Sequence, residues 1–289
     1  MDLIQDYTSD SDSPKEEPGN TDSSNTTEGG YLSPPAPPPI QIFSQQYQNM
    51  HSASKVSAMF ISIPWTPLLA ALSQLEKAVN HVVSQTPALS QNHKFIVPNK
   101  DPFRVEKHHI TIFPTLHVKE ELEQQFIRRM SERVGRIKPP GDLINSRSDH
   151  HSPLSKILNN SKPSISLHLE EHMAIAKSPL KDSLFCILRI RQTPDTLRYF
   201  SDLVECCKKT AKEFDGQLQF PHLLNDPMHV SIATGYVTKS ILSIEEIDKL
   251  NQQVGTIDVS QFTKDIQVVV DELTIRNMYE MTSTSLALV

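Results

Sequence analysis

His109-Ile110-Thr111-Ile112 and His229-Val230-Ser231-Ile232 are two stretches built on one pattern. In an extended strand, side chains alternate between faces, so His109 and Thr111 share one face, and His229 and Ser231 share another. The isoleucines and valine between them point the other way, toward a core. Each stretch therefore presents an imidazole and a hydroxyl together on a solvent-reachable surface. Two such strands facing each other place two imidazoles and two hydroxyls around one phosphate.

His-x-Ser/Thr by itself is a weak motif. With 12 histidines and roughly one residue in six Ser or Thr, about two chance matches are expected. A third match, His150-His151-Ser152, does occur, but in a polar stretch without alternation. Only the two quoted stretches carry the apolar partners Ile110/Ile112 and Val230/Ile232 of a half-buried strand. Either one alone reads equally well as a strand that happens to hold a histidine; the matching pair is what points to a site.

Their surroundings match as well. A strand expected over Ala58–Pro64 leads to Thr66-Pro67, a helix-start signal with Thr as N-cap and Pro at the first helical position. Leu68, Leu69, Leu72, Leu75, Val79, Val82 and Val83 follow at helical spacing, and a loop leads to the first histidine strand. In the second half, Leu184–Ile190 forms a strand and Thr193-Pro194 starts a helix with Leu197, Phe200, Leu203, Val204 and Cys207 on its apolar face. A loop then leads to His229. Ile63 to Ile190 and Thr66-Pro67 to Thr193-Pro194 are both offset by 127, and His109 to His229 by 120. The order strand, helix, loop, histidine strand thus occurs twice, which marks an internal duplication. A helix from about Val118 carries Leu122, Phe126, Met130 and Val134. Ile165, Leu167 and Leu169 alternate as the outgoing arm of a hairpin that turns near 177–182. A helix near Ser243–Asn251 and a strand near Ile266–Ile275 close the chain.

The predicted architecture is α+β: residues 1–50 as a disordered acidic and Pro-rich tail, then one bilobal domain over 51–289. Lobe one covers about 51–135 and lobe two about 163–260, with a C-terminal strand returning and a pseudo-twofold central cleft. The chain has 289 residues, enough for a large core. The net charge of −6 is concentrated at one end. Residues 1–30 hold eight acids and Lys15, a sum of −7, which leaves the remainder at +1 and compatible with an RNA-binding groove. Cys186, Cys206 and Cys207 form neither a metal-like spacing nor an even disulfide set, and read as buried or incidental thiols of a reducing compartment. No apolar run approaches the roughly 20 residues of a membrane helix. With eight glycines and no Gly-rich phosphate loop, nucleotide triphosphate chemistry is not indicated.

A pair of imidazoles suits phosphodiester cleavage in RNA. One, neutral, takes the proton of a ribose 2′-hydroxyl, and the other, protonated, gives a proton to the departing 5′-oxygen. Thr111 and Ser231 would donate to non-bridging phosphate oxygens. No metal or other cofactor is required, and the first product is a 2′,3′-cyclic phosphate. The residues leave open which histidine is the base.

A duplicated lobe with two His-x-Ser/Thr motifs resembles the 2H phosphoesterase superfamily. Within it, Leu224-Asn225-Asp226-Pro227-Met228-His229-Val230-Ser231-Ile232-Ala233 is similar to the corresponding stretch of the U6 small nuclear RNA 3′-end-processing phosphodiesterases, the fungal branch in particular. The similarity spans roughly 55–280 and extends to the acidic opening Met-Asp-Leu-Ile-Gln-Asp-Tyr. This resemblance implies a 3′→5′ exoribonuclease that trims the oligo(U) end of U6, leaving a cyclic phosphate or a 3′-phosphate. It further implies a monomer that works in the nucleus, with the mitochondrion as the other location. It carries catalysis onto His109 and His229, with His229 as base, and phosphate contacts onto Thr111 and Ser231. Where relatives place a base-stacking aromatic, this chain has Leu224; Phe220, His222 and Tyr236 are the alternative stacking faces. Two other readings stay open: an RNA-repair type 2′,3′-cyclic phosphodiesterase, and a non-catalytic single-stranded RNA-binding module.

Other groups carry less. His168-Leu169-Glu170-Glu171-His172 matches a zinc-peptidase pattern that works only on one helix face, and here the apolar alternation makes it a strand. His108 points to the opposite strand face from His109 and reads as structural or as a surface residue. Arg104, Lys107 and Arg276 read as solvated cations, with a phosphate contact as the alternative.

Overall fold

The alternation around both motifs produces long strands. In β3 (His108–Lys119), Ile110 and Ile112 are buried while His109 and Thr111 stay half-exposed, and β8 (His229–Val237) repeats this with Val230 and Ile232. The structure is a computed structural model that describes residues 55–101, 108–145 and 163–289, all within one unit, Pro39–Val289. The acidic tail, Arg104, Lys107 and residues 146–162, with His150-His151-Ser152 among them, lie outside the described residues.

The first half runs β1 (Val56–Trp65), α1 (Leu69–Gln85), α2 (Pro87–Asn92), β2 (His93–Ile96) and β3; α3 (Glu123–Val134) and the short β4 (Ile144–Asn145) follow. The second half runs β5 (Ser164–Lys177), β6 (Leu184–Ile190), α4 (Pro194–Glu213), β7 (Gln217–Leu218) and β8. The chain ends with α5 (Ile244–Val254), α6 (Ser260–Thr263), β9 (Gln267–Val270), β10 (Glu272–Asn277) and β11 (Ser283–Ala287). The antiparallel sheet has the order β11-β10-β1-β3-β8-β6-β5-β4, so β3 and β8 stand at its middle with three strands outside each. The short strands are exchanged: β2 of the first half pairs with β8, and β7 of the second half pairs with β3. Strand, helix, short strand and histidine strand thus occur twice about a pseudo-twofold axis between β3 and β8. No helix among the described residues is long and apolar enough to cross a membrane.

The duplication differs in detail from the spacing argument. Thr193 does cap α4, accepting from the Thr196 amide at 3.1 Å while Thr196 Oγ1 accepts from the Thr193 amide at 2.7 Å. Thr66 caps nothing. α1 begins two residues later, its N-cap position is Leu68, and no side chain caps it. Pro67 is buried and Leu68 is still extended, so the chain leaves the strand before it coils. Leu68 and Leu69 are consequently 80% and 84% exposed, and the buried stripe of α1 is Leu75, Ala78, Val79 and Val82. Sheet register also replaces the 127-residue offset. Ile63 pairs with Ile110 and Leu188 with Val230, so the counterpart of Ile63 is Leu188 rather than Ile190.

Two further expectations change. The helix expected from Val118 starts at Glu123, because Val118 and Lys119 are held in β3 by pairing with Ser57 and Val56. The buried Glu123 carboxylate accepts from Ser57 Oγ and from Asn277 Nδ2 at 2.9 Å, tying α3 to β1 and β10. The single strand expected near 266–275 is two strands divided at Asp271. β9 pairs with β5 and β10 with β1, so these few residues cross from the second half to the first. All three cysteines are free and buried.

At the start of β2, His93 is 2% exposed, and neither ring nitrogen has a hydrogen-bond partner among the described residues. Burial holds its pKa below the ordinary 6.5. The half-buried His117 is shifted the same way for the same reason. The folded state therefore keeps these rings neutral at a pH where the unfolded chain protonates them. Their contribution to stability is fully present above about 6.5 and is lost as pH falls below it. His93→Leu is expected to narrow the difference between thermal midpoints measured near pH 7.5 and pH 5.5. An unchanged difference would show that His93 is solvated in the folded state.

Candidate active site

β3 and β8 meet at Ile110 and Val230, the middle residues of the two motifs. Both are 0% exposed and face the core. Antiparallel pairing about that point sets His109 beside Ser231 and Thr111 beside His229, all four half-buried on the opposite face. Direct neighbours in such a ladder lie about 5 Å apart and diagonal ones about 7 Å, so the two imidazoles stand across a diagonal with room for one phosphate between them.

The strands do not stay together beyond this point. Thr111 pairs with Ser62 and Phe113 with Ile61, which leaves Ile112 as an extra residue; Ser231 pairs with Ile187 and Ala233 with Cys186, which leaves Ile232 extra. Each motif thus ends in a bulge at the same relative position. A bulge bends its strand and re-aims the neighbouring side chain. Past the bulges β3 continues against β7 and β8 against β2. In β8 this brings Gly235 under the ring of Phe95, whose Cε1 would stand 2.6 Å from an added Cβ.

The two histidines are held differently. His229 Nδ1–H donates to the Pro227 carbonyl at 2.9 Å, which fixes the ring and leaves Nε2 as its nitrogen for substrate. The ring of His109 meets that of Phe60 edge to face at 5.4 Å and buries Nδ1. His108 turns the other way, is buried, and packs against Trp65 at 5.6 Å.

Neighbouring strands complete the surface. On the β1 side, Pro64 stands beside His109 and Ser62 beside Thr111. On the β6 side, Ile187 stands beside Ser231 and Arg189 beside His229. Arg189 is exposed, between the buried Leu188 and Ile190. The alternation Phe185, Ile187, Arg189 was readable in the sequence, but its register against His229 was not, and Arg189 was missed. Arg276, on β10, lies beside Phe60.

Of the three expected stacking residues, Phe220 and His222 lie in the segment before β8 and Tyr236 on β8 itself. Phe220 follows the edge of β3, where the Gln219 amide donates to the Thr115 carbonyl at 2.9 Å; its ring meets that of the exposed His222 at 6.3 Å. Tyr236 is half-buried five residues past Ser231, and its hydroxyl donates to Asp101 Oδ2 at 2.7 Å. Leu224 is packed against the core and lines a cavity of about 320 Å³ with Phe200, Val204, Pro227 and Met228, behind the loop that carries Pro227. His168 and His172 lie on β5, not on a helix.

No family model and no curated protein matches this chain. Solved structures do. Usb1 of Kluyveromyces marxianus is 12% identical and matches over 82% of this chain and 100% of its own, at a TM-score of 0.51. The same protein with uridine monophosphate is 13% identical over the same shares, at 0.53. LigT of E. coli complexed with phosphate is 14% identical over 81% of this chain and 96% of its own, at 0.34. At these identities the likeness is one of fold: the chain has the α+β fold of Usb1.

Proposed function

We propose that this chain is a phosphodiesterase that shortens RNA from its 3′ end, with the oligouridine end of U6 small nuclear RNA as substrate and the nucleus as its place of work. The observation that carries this reading is the pairing of Ile110 with Val230, which sets each motif histidine beside the other motif's hydroxyl on one open face. The substrate class is supported by the fold shared with Usb1, whose structure has been solved with uridine monophosphate, and by the Asn225-Asp226-Pro227 loop before His229.

His229 Nε2 takes the proton of the 2′-hydroxyl on the 5′ side of the terminal linkage. The 2′-oxygen attacks phosphorus, the bond from phosphorus to the 5′-oxygen breaks, and protonated His109 gives its proton to that leaving oxygen. Thr111 and Ser231 donate to the two non-bridging oxygens while charge builds on them. The products are a shortened RNA with a 2′,3′-cyclic phosphate and a free nucleoside. His109 is now neutral and His229 protonated, the states needed for the reverse assignment with water. His109 takes a proton from water, its oxygen attacks phosphorus, the bond to the 2′-oxygen breaks, and His229 protonates it to leave a 3′-phosphate.

The test is a 5′-labelled RNA ending in several uridines, incubated in excess EDTA, beside the same RNA with a 2′-deoxy sugar on the 5′ side of the terminal linkage. The expected result is a ladder shortening from the 3′ end in the first lane and full-length RNA in the second. Cleavage of the deoxy linkage would overturn the 2′-hydroxyl mechanism. Intact RNA in both lanes, with opening of a cyclic-phosphate end supplied in a third, would make the chain a cyclic phosphodiesterase; binding without any turnover would make it a binding module.

A further inference from the structure

We infer that Arg189 binds the phosphate immediately upstream of the one being cleaved, and that the body of the RNA leaves the site across β6. This rests on the reading above for which histidine is the base.

The pseudo-twofold axis makes the two sides of the site comparable position by position. Pro64 stands beside His109 where Arg189 stands beside His229. At the position next to the imidazole one flank is therefore apolar, with Pro64 and the Phe60 ring against His109, and the other carries a cation; on the first flank Arg276 stands one strand further out, beside Phe60. Arg189 is exposed and forms no ion pair among the described residues, in contrast to Arg191 two residues on, which pairs with Glu171 at 3.1 Å. Adjacent strands are about 5 Å apart, so the Arg189 side chain starts one strand outward from His229 and extends the positive surface beyond the reach of the imidazole.

The direction of the chain follows from the chemistry. The nucleotide whose 2′-hydroxyl is deprotonated lies on the His229 side, and its own 5′-phosphate continues outward on that side, over Arg189. The terminal nucleoside leaves on the His109 side, over Pro64 and Phe60. A substrate with a free 3′ end, cleaved at its last linkage, has no further phosphate there, and the residue paired with His109 on that side is Pro64. Had the base been His109, Arg189 would face the departing nucleoside and meet no second phosphate.

The experiment compares the full chain with Arg189→Gln and Arg189→Lys on three substrates: UpU with a free 5′-hydroxyl, pUpU, and UpUpU. In the parent protein, kcat/KM is expected to rise from UpU to pUpU and UpUpU. In Arg189→Gln it falls about tenfold on the two substrates with an upstream phosphate, the effect of losing one charge-assisted contact, and less than about twofold on UpU. Arg189→Lys recovers part of the loss. The slope of log kcat/KM against log salt on UpUpU becomes shallower by about 0.7, one phosphate contact on a single strand. Equal losses on all three substrates would place Arg189 on the scissile phosphate and overturn the inference. So would equal activity of parent and variant on UpUpU. Absence of turnover by the parent on every substrate would instead overturn the proposed function, and the assignment of Arg189 with it.

Discussion

His109→Ala and His229→Ala are each expected to lower kcat on an oligouridine RNA by about 10²–10⁴-fold, the range of a positioned acid or base. Binding of the same RNA, measured by anisotropy on the 2′-deoxy analogue, is expected to change by less than about fivefold, because neutral hydrogen bonds to a ligand are individually modest. Neither substitution touches the core pair Ile110 and Val230, which carries the strand contact. His229→Ala removes the bond to the Pro227 carbonyl and His109→Ala the edge contact with Phe60, both on the open face of the sheet, so far-ultraviolet circular dichroism is expected to match the parent. The double variant is expected to lose little more than the weaker single variant, since both imidazoles act in one concerted step and their effects do not add. Full activity in either single variant would dissolve the two-histidine site. A loss of RNA binding equal to the loss of turnover would turn the cleft into a binding surface alone.

How much of this was legible beforehand depends on which kind of signal each feature uses. Alternation within one strand is local, so the common face of His109 and Thr111, and of His229 and Ser231, could be read directly, as could the hairpin of β5 and β6. That the two motif strands meet followed only from the duplication, since symmetry is what brings equivalent strands together; that they meet at Ile110 and Val230 appears only in the sheet. Register between different strands has no local signature. The bulges at Ile112 and Ile232, the neighbour relation of Arg189 to His229 and the offset linking Ile63 to Leu188 therefore appear only in the sheet. Thr66-Pro67 misled because a capping signal states that a helix may start, not that the backbone has finished leaving its strand; Pro67 is buried and Leu68 remains extended. Asp271 misled in the opposite way: apolar residues on both sides of it read as one strand, although they serve β5 on one side and β1 on the other. The contact of the Tyr236 hydroxyl with Asp101, 135 residues away, is of the same non-local kind.

Thr111→Val and Ser231→Ala are expected to lower kcat by about 10²-fold each with little change in KM, as donors aimed at developing negative charge do. Valine keeps the branching that suits a strand and removes only the hydroxyl, so a loss at Thr111 reports hydrogen bonding rather than backbone propensity. Thr111→Ser and Ser231→Thr keep a hydroxyl at each corner and are expected to stay within about threefold of the parent, because the pseudo-twofold site already uses both residue types in equivalent places. The cross-strand geometry makes a sharper demand. Thr111 stands beside His229 and Ser231 beside His109, each pair contributed by both motifs. Coupling between neighbours that share one group is non-additive. A double-mutant cycle of Thr111→Val with His229→Ala, and of Ser231→Ala with His109→Ala, is therefore expected to fall short of additivity. If the hydroxyls raise KM when removed and leave kcat unchanged, they hold the ground-state phosphate rather than the transition state. If neither parameter moves, the phosphate does not sit between the two motifs, and the meeting of Ile110 with Val230 is a feature of the core alone.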